Sequence, residues 1–89
     1  MAGCFTLEGA GRLVLSCFPA GTSLDSTLEE AGFISDLQRA TLQQTIFDKV
    51  RARGCSIQRG DIPNAANTTI QGIMDAVFDK ATLVEGGTA

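Results

Sequence analysis

The chain contains no histidine, tryptophan or tyrosine. Lack of histidine removes the side chain most used as a general base near neutral pH and as a metal ligand. Cysteine is scarce: Cys4, Cys17 and Cys55 stand far apart, without the close pairs of a zinc or redox motif, and an odd number does not make a disulfide framework. They read as reduced thiols, Cys17 and Cys55 as small buried hydrophobes and Cys4 near a frayed end. With no secretory leader in sight, that places the protein in the cytoplasm. No apolar run exceeds three residues, as at Leu13-Val14-Leu15, far short of a membrane span. Ten acidic residues against seven basic ones leave a net charge of −3. Such a balance repels phosphate backbones and anionic lipid, so neither nucleic acid nor membrane is expected as a partner.

What is present suits one small domain. Eighty-nine residues, 44% of them hydrophobic, can build one core but no deep, water-excluded cleft. The expectation is a single domain over residues 1–89 with a core of about 5–82, loose ends at 1–4 and 85–89, no metal and no catalysis.

Helical periodicity dominates. Leu7, Ala10, Leu13, Val14, Cys17 and Phe18 predict a first helix over about 7–18, weakened by Gly9 and Gly11 by about 1 kcal/mol each and stopped by Pro19. A long loop follows, in which Ser26 and Glu29 have capping-box spacing ahead of a short turn closed by Gly32. The central helix runs from Ser35 or Asp36 to Arg53, with Gly54 as its stop. Its apolar positions (Leu37, Ala40, Leu42, Ile46, Phe47, Val50) make a face wider than one neighbour needs, interrupted by Thr41, Gln43, Gln44 and Thr45. Cys55-Ser56-Ile57 reads as a short extended piece. In the last helix Thr68 and Gln71 form a capping box, and Ile70, Ile73, Met74, Val77 and Phe78 fall on the i, i+3, i+4, i+7, i+8 pattern, with Met74 and Phe78 assigned to the core. Without an alternating strand, the fold class is all-α, a bundle of three to four helices with a long first loop.

That layout, with the run from Thr27-Leu28-Glu29-Glu30-Ala31-Gly32-Phe33 to Ile34-Ser35-Asp36-Leu37, resembles an acyl carrier protein, the carrier domain of fatty acid and polyketide synthases. Asn67-Thr68-Thr69-Ile70 is similar to the threonine-started final helix of that family. The resemblance implies a serine at the mouth of the second helix carrying a covalent 4'-phosphopantetheine arm, with a ketosynthase, an acyltransferase and a phosphopantetheinyl transferase as partners.

The family's Asp-Ser-Leu is altered here. Counted from Gly32, Ser35 takes the attachment position and Ile34 replaces the aspartate. Counted back from Leu37, Leu42 and Ile46, Asp36 takes it, and counted back from Thr68, Ala40 does. A second Leu-Asp-Ser at Leu24-Asp25-Ser26 leaves too little chain before it for helix and loop, so Ser26 reads as a cap. Ser35 is therefore the expected attachment site, and Asp36, Arg39 and Gln43 are the expected partner-facing residues of the helix. Arg39, Lys49, Arg51 and Arg53 against Asp36 and Asp48 give that helix a net of +2, which suits a neutral or acidic partner surface. Two alternatives stay open: a degenerate carrier-like docking module without a usable serine, and an unrelated small helical interaction domain.

Overall fold

A computed structural model describes residues 4–83. Three helices, α1 (Leu7–Leu15), α2 (Asp36–Ala52) and α3 (Ile70–Lys80), carry most of the structure. Two short strands, β1 (Cys55–Ser56) and β2 (Thr82–Leu83), join them, and a single 3-10 turn lies at Arg59–Asp61. The all-α expectation is thus corrected to a mainly helical fold with a small antiparallel sheet, in which Cys55 pairs with Leu83 and Ser56 with Thr82. The alternation that announces a strand cannot register in two residues.

The three stripes read from periodicity meet in one core. Ala10, Leu13 and Val14 of α1, Leu42, Ile46 and Val50 of α2, and Ile70, Ile73, Met74 and Val77 of α3 are all buried. α1 lies closest against α3. Gly11 explains the approach: a Cβ there would stand 2.9 Å from Met74 Sδ, so the residue that weakens the isolated helix allows it to pack. α1 ends three residues earlier than expected, at Leu15, where Ser16 turns its hydroxyl back onto the Leu13 carbonyl at 2.6 Å. Phe78 leaves the core and is 42% exposed. It sits near the end of α3, one turn beyond Met74.

The long first loop is not a free connector. Leu28 N–H donates to Thr68 O and Glu29 N–H to Ala66 O, while Ile70 and Gln71 N–H donate to Ser26 O and Leu24 O. Thr27 and Thr69 form a β-bridge within this pairing, and Leu28 is completely buried beneath it. This accounts for two shifts of one residue. The backbone of Thr68 is taken up by the loop, so Thr69 caps α3, its Oγ1 accepting from Gly72 N–H at 3.1 Å. The expected Ser26–Glu29 box is formed instead by Thr27 and Glu30, whose side chains each accept the other's backbone N–H, around a turn that never becomes a helix.

Cys4 and Cys55 form a disulfide across 51 residues of chain, with Cα atoms 6.0 Å apart, and Cys17 is the free cysteine among the described residues. The reading of reduced thiols and of a frayed end at Cys4 is overturned, and with it the premise for a reducing compartment. The strand at Cys55 brings its side chain beneath Cys4, whose N–H donates to Ala81 O at 3.2 Å. No helix among the described residues is long and apolar enough to cross a membrane.

Burial sets two expected outcomes. Ile73→Asp and Val77→Asp place an unpaired charge in a core whose total stability is about 5–15 kcal/mol, and each should abolish the cooperative thermal transition. Gln71→Asp, on the exposed side of α3, should change stability by no more than about 0.5 kcal/mol. Reduction should lower stability by about 2–4 kcal/mol in a denaturant titration, through release of the long loop closed by Cys4 and Cys55. Peptide mapping of the native chain after thiol alkylation should find only Cys17 labelled.

Candidate functional site

α2 begins because Ser35 caps it. The Ser35 Oγ accepts the Gln38 N–H at 3.1 Å, and Gln38 Oε1 accepts the N–H groups of Ser35 and Ile34 at 3.0 and 2.9 Å. The Ser35 hydroxyl lies 3.3 Å from the same Oε1, to which it donates. A capping box, marked in the sequence by the Ser-x-x-Gln spacing of Ser35 and Gln38, therefore holds the expected attachment residue at the exposed mouth of the helix. The free N–H groups of the first turn and the positive end of the helix dipole lie beside its oxygen. Gly32, at φ 101, makes the left-handed bend that directs Phe33 inward just before this point. Phe33 then packs edge-on against Phe18, with ring centres 5.3 Å apart.

Arg39 anchors the mouth from below. Its guanidinium donates to the carbonyls of Phe33 and Ile34 at 3.0 and 2.6 Å and pairs with the Asp36 carboxylate. Only 9% of the residue is exposed, so Arg39 positions the loop and is not presented to a partner. Gln43, also expected to face outward, is turned to structure as well. Its Nε2 donates to Arg59 O and Ile62 O at 2.6 and 2.8 Å, tying α2 to the 3-10 turn. Asp36 alone of the three stands fully in solvent. Ser26 is half buried against the head of α3, and Ala40 is an exposed residue of α2 with no reactive group.

Two features of the site escaped the sequence. Ile34 and Leu37 bracket Ser35 and Asp36 and are 66% and 78% exposed. Leu37 belongs to the apolar face of α2 that is wider than one neighbour needs, and it lies on the uncovered edge. It stands five residues before Leu42, outside the stripe of Leu42, Ile46 and Val50, and its spacing was the available signal. Beside it a groove of about 350 Å³ opens between the first loop and α2, lined by Cys17, Phe33, Leu37, Thr41 and Leu42, with Gln38 of the capping box at its rim. Burial pushes the Cys17 thiol above its usual range, with Lys49 and Ser16 pulling it down to a lesser degree.

The basic residues of α2 are divided: Arg39 is paired with Asp36 at the mouth, while Lys49, Arg51 and Arg53 lie at least fourteen residues further on, about 21 Å along the axis. The site is an exposed serine hydroxyl at a helix N-terminus, flanked by aliphatic side chains and the Asp36–Arg39 ion pair and adjoining an apolar groove. No cluster of metal-ligating groups occurs among the described residues. The chain has no significant match among protein-family models, curated proteins or solved structures.

Replacing Arg39 with methionine, of similar length, would leave the Phe33 and Ile34 carbonyls without their donor. It should destabilise the domain by about 1–3 kcal/mol and increase amide hydrogen exchange at residues 33–36 ahead of the rest of the chain. Gln44→Ala, on the same helix, should leave those amides unchanged.

Proposed function

We propose that this chain is a carrier domain, holding an acyl or peptidyl intermediate on a phosphopantetheine arm at Ser35 and presenting it to the enzymes of a synthase. The observation that carries the reading is the placement of Ser35: exposed at the N-terminus of the longest helix, between Ile34 and Leu37, with an apolar groove beside it. A phosphodiester on that oxygen would receive the N–H groups of the first turn, where the dipole favours an anion. Exposed aliphatic side chains suit transient docking to an apolar surface. Lys49, Arg51 and Arg53 stand about 21 Å along the helix from its mouth, so the total charge of α2 does not describe the surface around Ser35.

One arrangement favours a second reading, a carrier-like docking module without an arm. The Ser35 hydroxyl is engaged in its capping box, and the Asp36 carboxylate next to it would oppose a phosphate by about 1 kcal/mol in solvent.

Intact-mass measurement after incubation with coenzyme A and a promiscuous phosphopantetheinyl transferase tests the proposal. The wild type should gain one arm, Ser26→Ala should still gain it, and Ser35→Asn should not. Asparagine can cap the helix as serine does, so Ser35→Asn should keep the wild-type thermal midpoint, whereas Ser35→Ala loses about 1 kcal/mol. A folded wild type that gains no mass would favour the docking module.

A further inference from the structure

At the far end of α2 from Ser35, the last turns of α1 and α2 border a pocket of about 190 Å³ lined by Arg12, Leu13, Ser16, Lys49, Ala52 and Arg53. Lys49 extends its Nζ to 3.1 Å from Ser16 Oγ, and because that hydroxyl donates to Leu13 O, it turns a lone pair towards the ammonium. Three cationic side chains thus share one concavity with an apolar floor. Among the described residues, the carboxylate that pairs with any of them is Glu8, which meets Arg12 at 2.9 Å on the exposed surface of α1. Such a pair contributes only a few tenths of a kcal/mol and is readily exchanged.

The helix ends account for part of this charge. Each C-terminus is equivalent to about half a negative charge, so the two together balance about one cation. Among the described residues no further carboxylate pairs with the rest, although the chain as a whole is acidic. The Asp36 carboxylate stands at the opposite end of α2, paired with Arg39.

We infer that this pocket is a docking socket for an acidic segment of another protein, one carboxylate side chain entering between Lys49 and Arg53. Its volume matches a carboxylate group, and a chain of net charge −3 disfavours an extended phosphate polymer. The inference goes beyond the carrier reading and does not depend on it. It places a second contact surface at the end of α2 away from Ser35, so a partner could hold the domain while the serine remains accessible.

The test is a titration of the full isotopically labelled chain with an octaglutamate peptide at low ionic strength, followed by amide chemical shifts. Saturable shifts should be confined to Arg12, Leu13, Ser16, Lys49, Ala52 and Arg53, and should weaken as salt is raised. Lys49→Glu and Arg53→Glu should each weaken binding about tenfold, and Lys49→Gln, which cannot unfold the chain by repulsion, by several-fold. Arg51→Glu should have less than about a threefold effect, since Arg51 lies two residues, about 200°, around the helix and over the Phe47 ring. Three results would overturn the inference. Arg51→Glu could prove as damaging as Lys49→Glu, which is general attraction. Inorganic phosphate at equal concentration could give the same shifts and displace the peptide, which is a small-anion site. The same shifts could grow with protein concentration in the absence of peptide, which is self-association.

Discussion

The candidate site depends on the pairing of residues 24–29 with residues 66–71. Twenty residues separate the end of α1 from the start of α2, and closing so long a connection carries an entropic penalty that no single side chain offsets. Backbone hydrogen bonds to the segment ahead of α3, with Leu28 buried under them, fix its middle. The edge contact of Phe18 with Phe33, and the grip of Arg39 on the Phe33 and Ile34 carbonyls, then fix its end. Ser35 emerges at a defined place because three independent contacts precede it. Without the pairing, α2 would keep its cap but lose its relation to α1, and the groove between Cys17 and Leu42 would have no second wall.

A buried arginine is an unusual anchor in a domain of this size, and its geometry explains why it is tolerated. The stem of Arg39 follows the same face as Leu42, Ile46 and Val50, three, seven and eleven residues on, while its head reaches two carbonyls and the Asp36 carboxylate near the surface. The charge is paired and its donors are used, so the desolvation penalty of an isolated buried cation does not arise. Withdrawal of this one side chain also sets the electrostatics of the exposed surface. It leaves the mouth of α2 apolar with its cation engaged, while Lys49, Arg51 and Arg53 lie towards the other end of the helix.

Much of the fold was legible because it is local. The stripe from Ile70 to Val77, the extent of α2 with its stop at Gly54, and the inward faces of α1 follow from a repeat of 3.6 residues and from the chemistry of caps and glycine. Ser35 at the head of α2 was legible for the same reason. The errors share a cause. Thr68 and Ser26 were displaced as caps because their backbone groups pair with residues some forty positions away, which no local pattern records. Phe78 obeys the helical repeat but lies where α3 has no neighbour to cover it. The disulfide joins cysteines whose spacing carries no motif, since only the strand at Cys55 and the anchoring of Cys4 beside Ala81 bring them together.

The sequence by itself therefore determined the helices, most of the inward faces of α1 and α3, the single core and the presence of a serine at a helix mouth, because each depends on residues within one or two turns of one another. Only the tertiary structure decided what surrounds that serine. Whether Leu37 is core or rim, whether Arg39 faces a partner or a carbonyl, and whether the charge of α2 is felt at Ser35 all depend on how a long loop is laid across α3. Hydrogen bonds between distant backbone segments decide that path, and backbone groups are the same in every residue but proline.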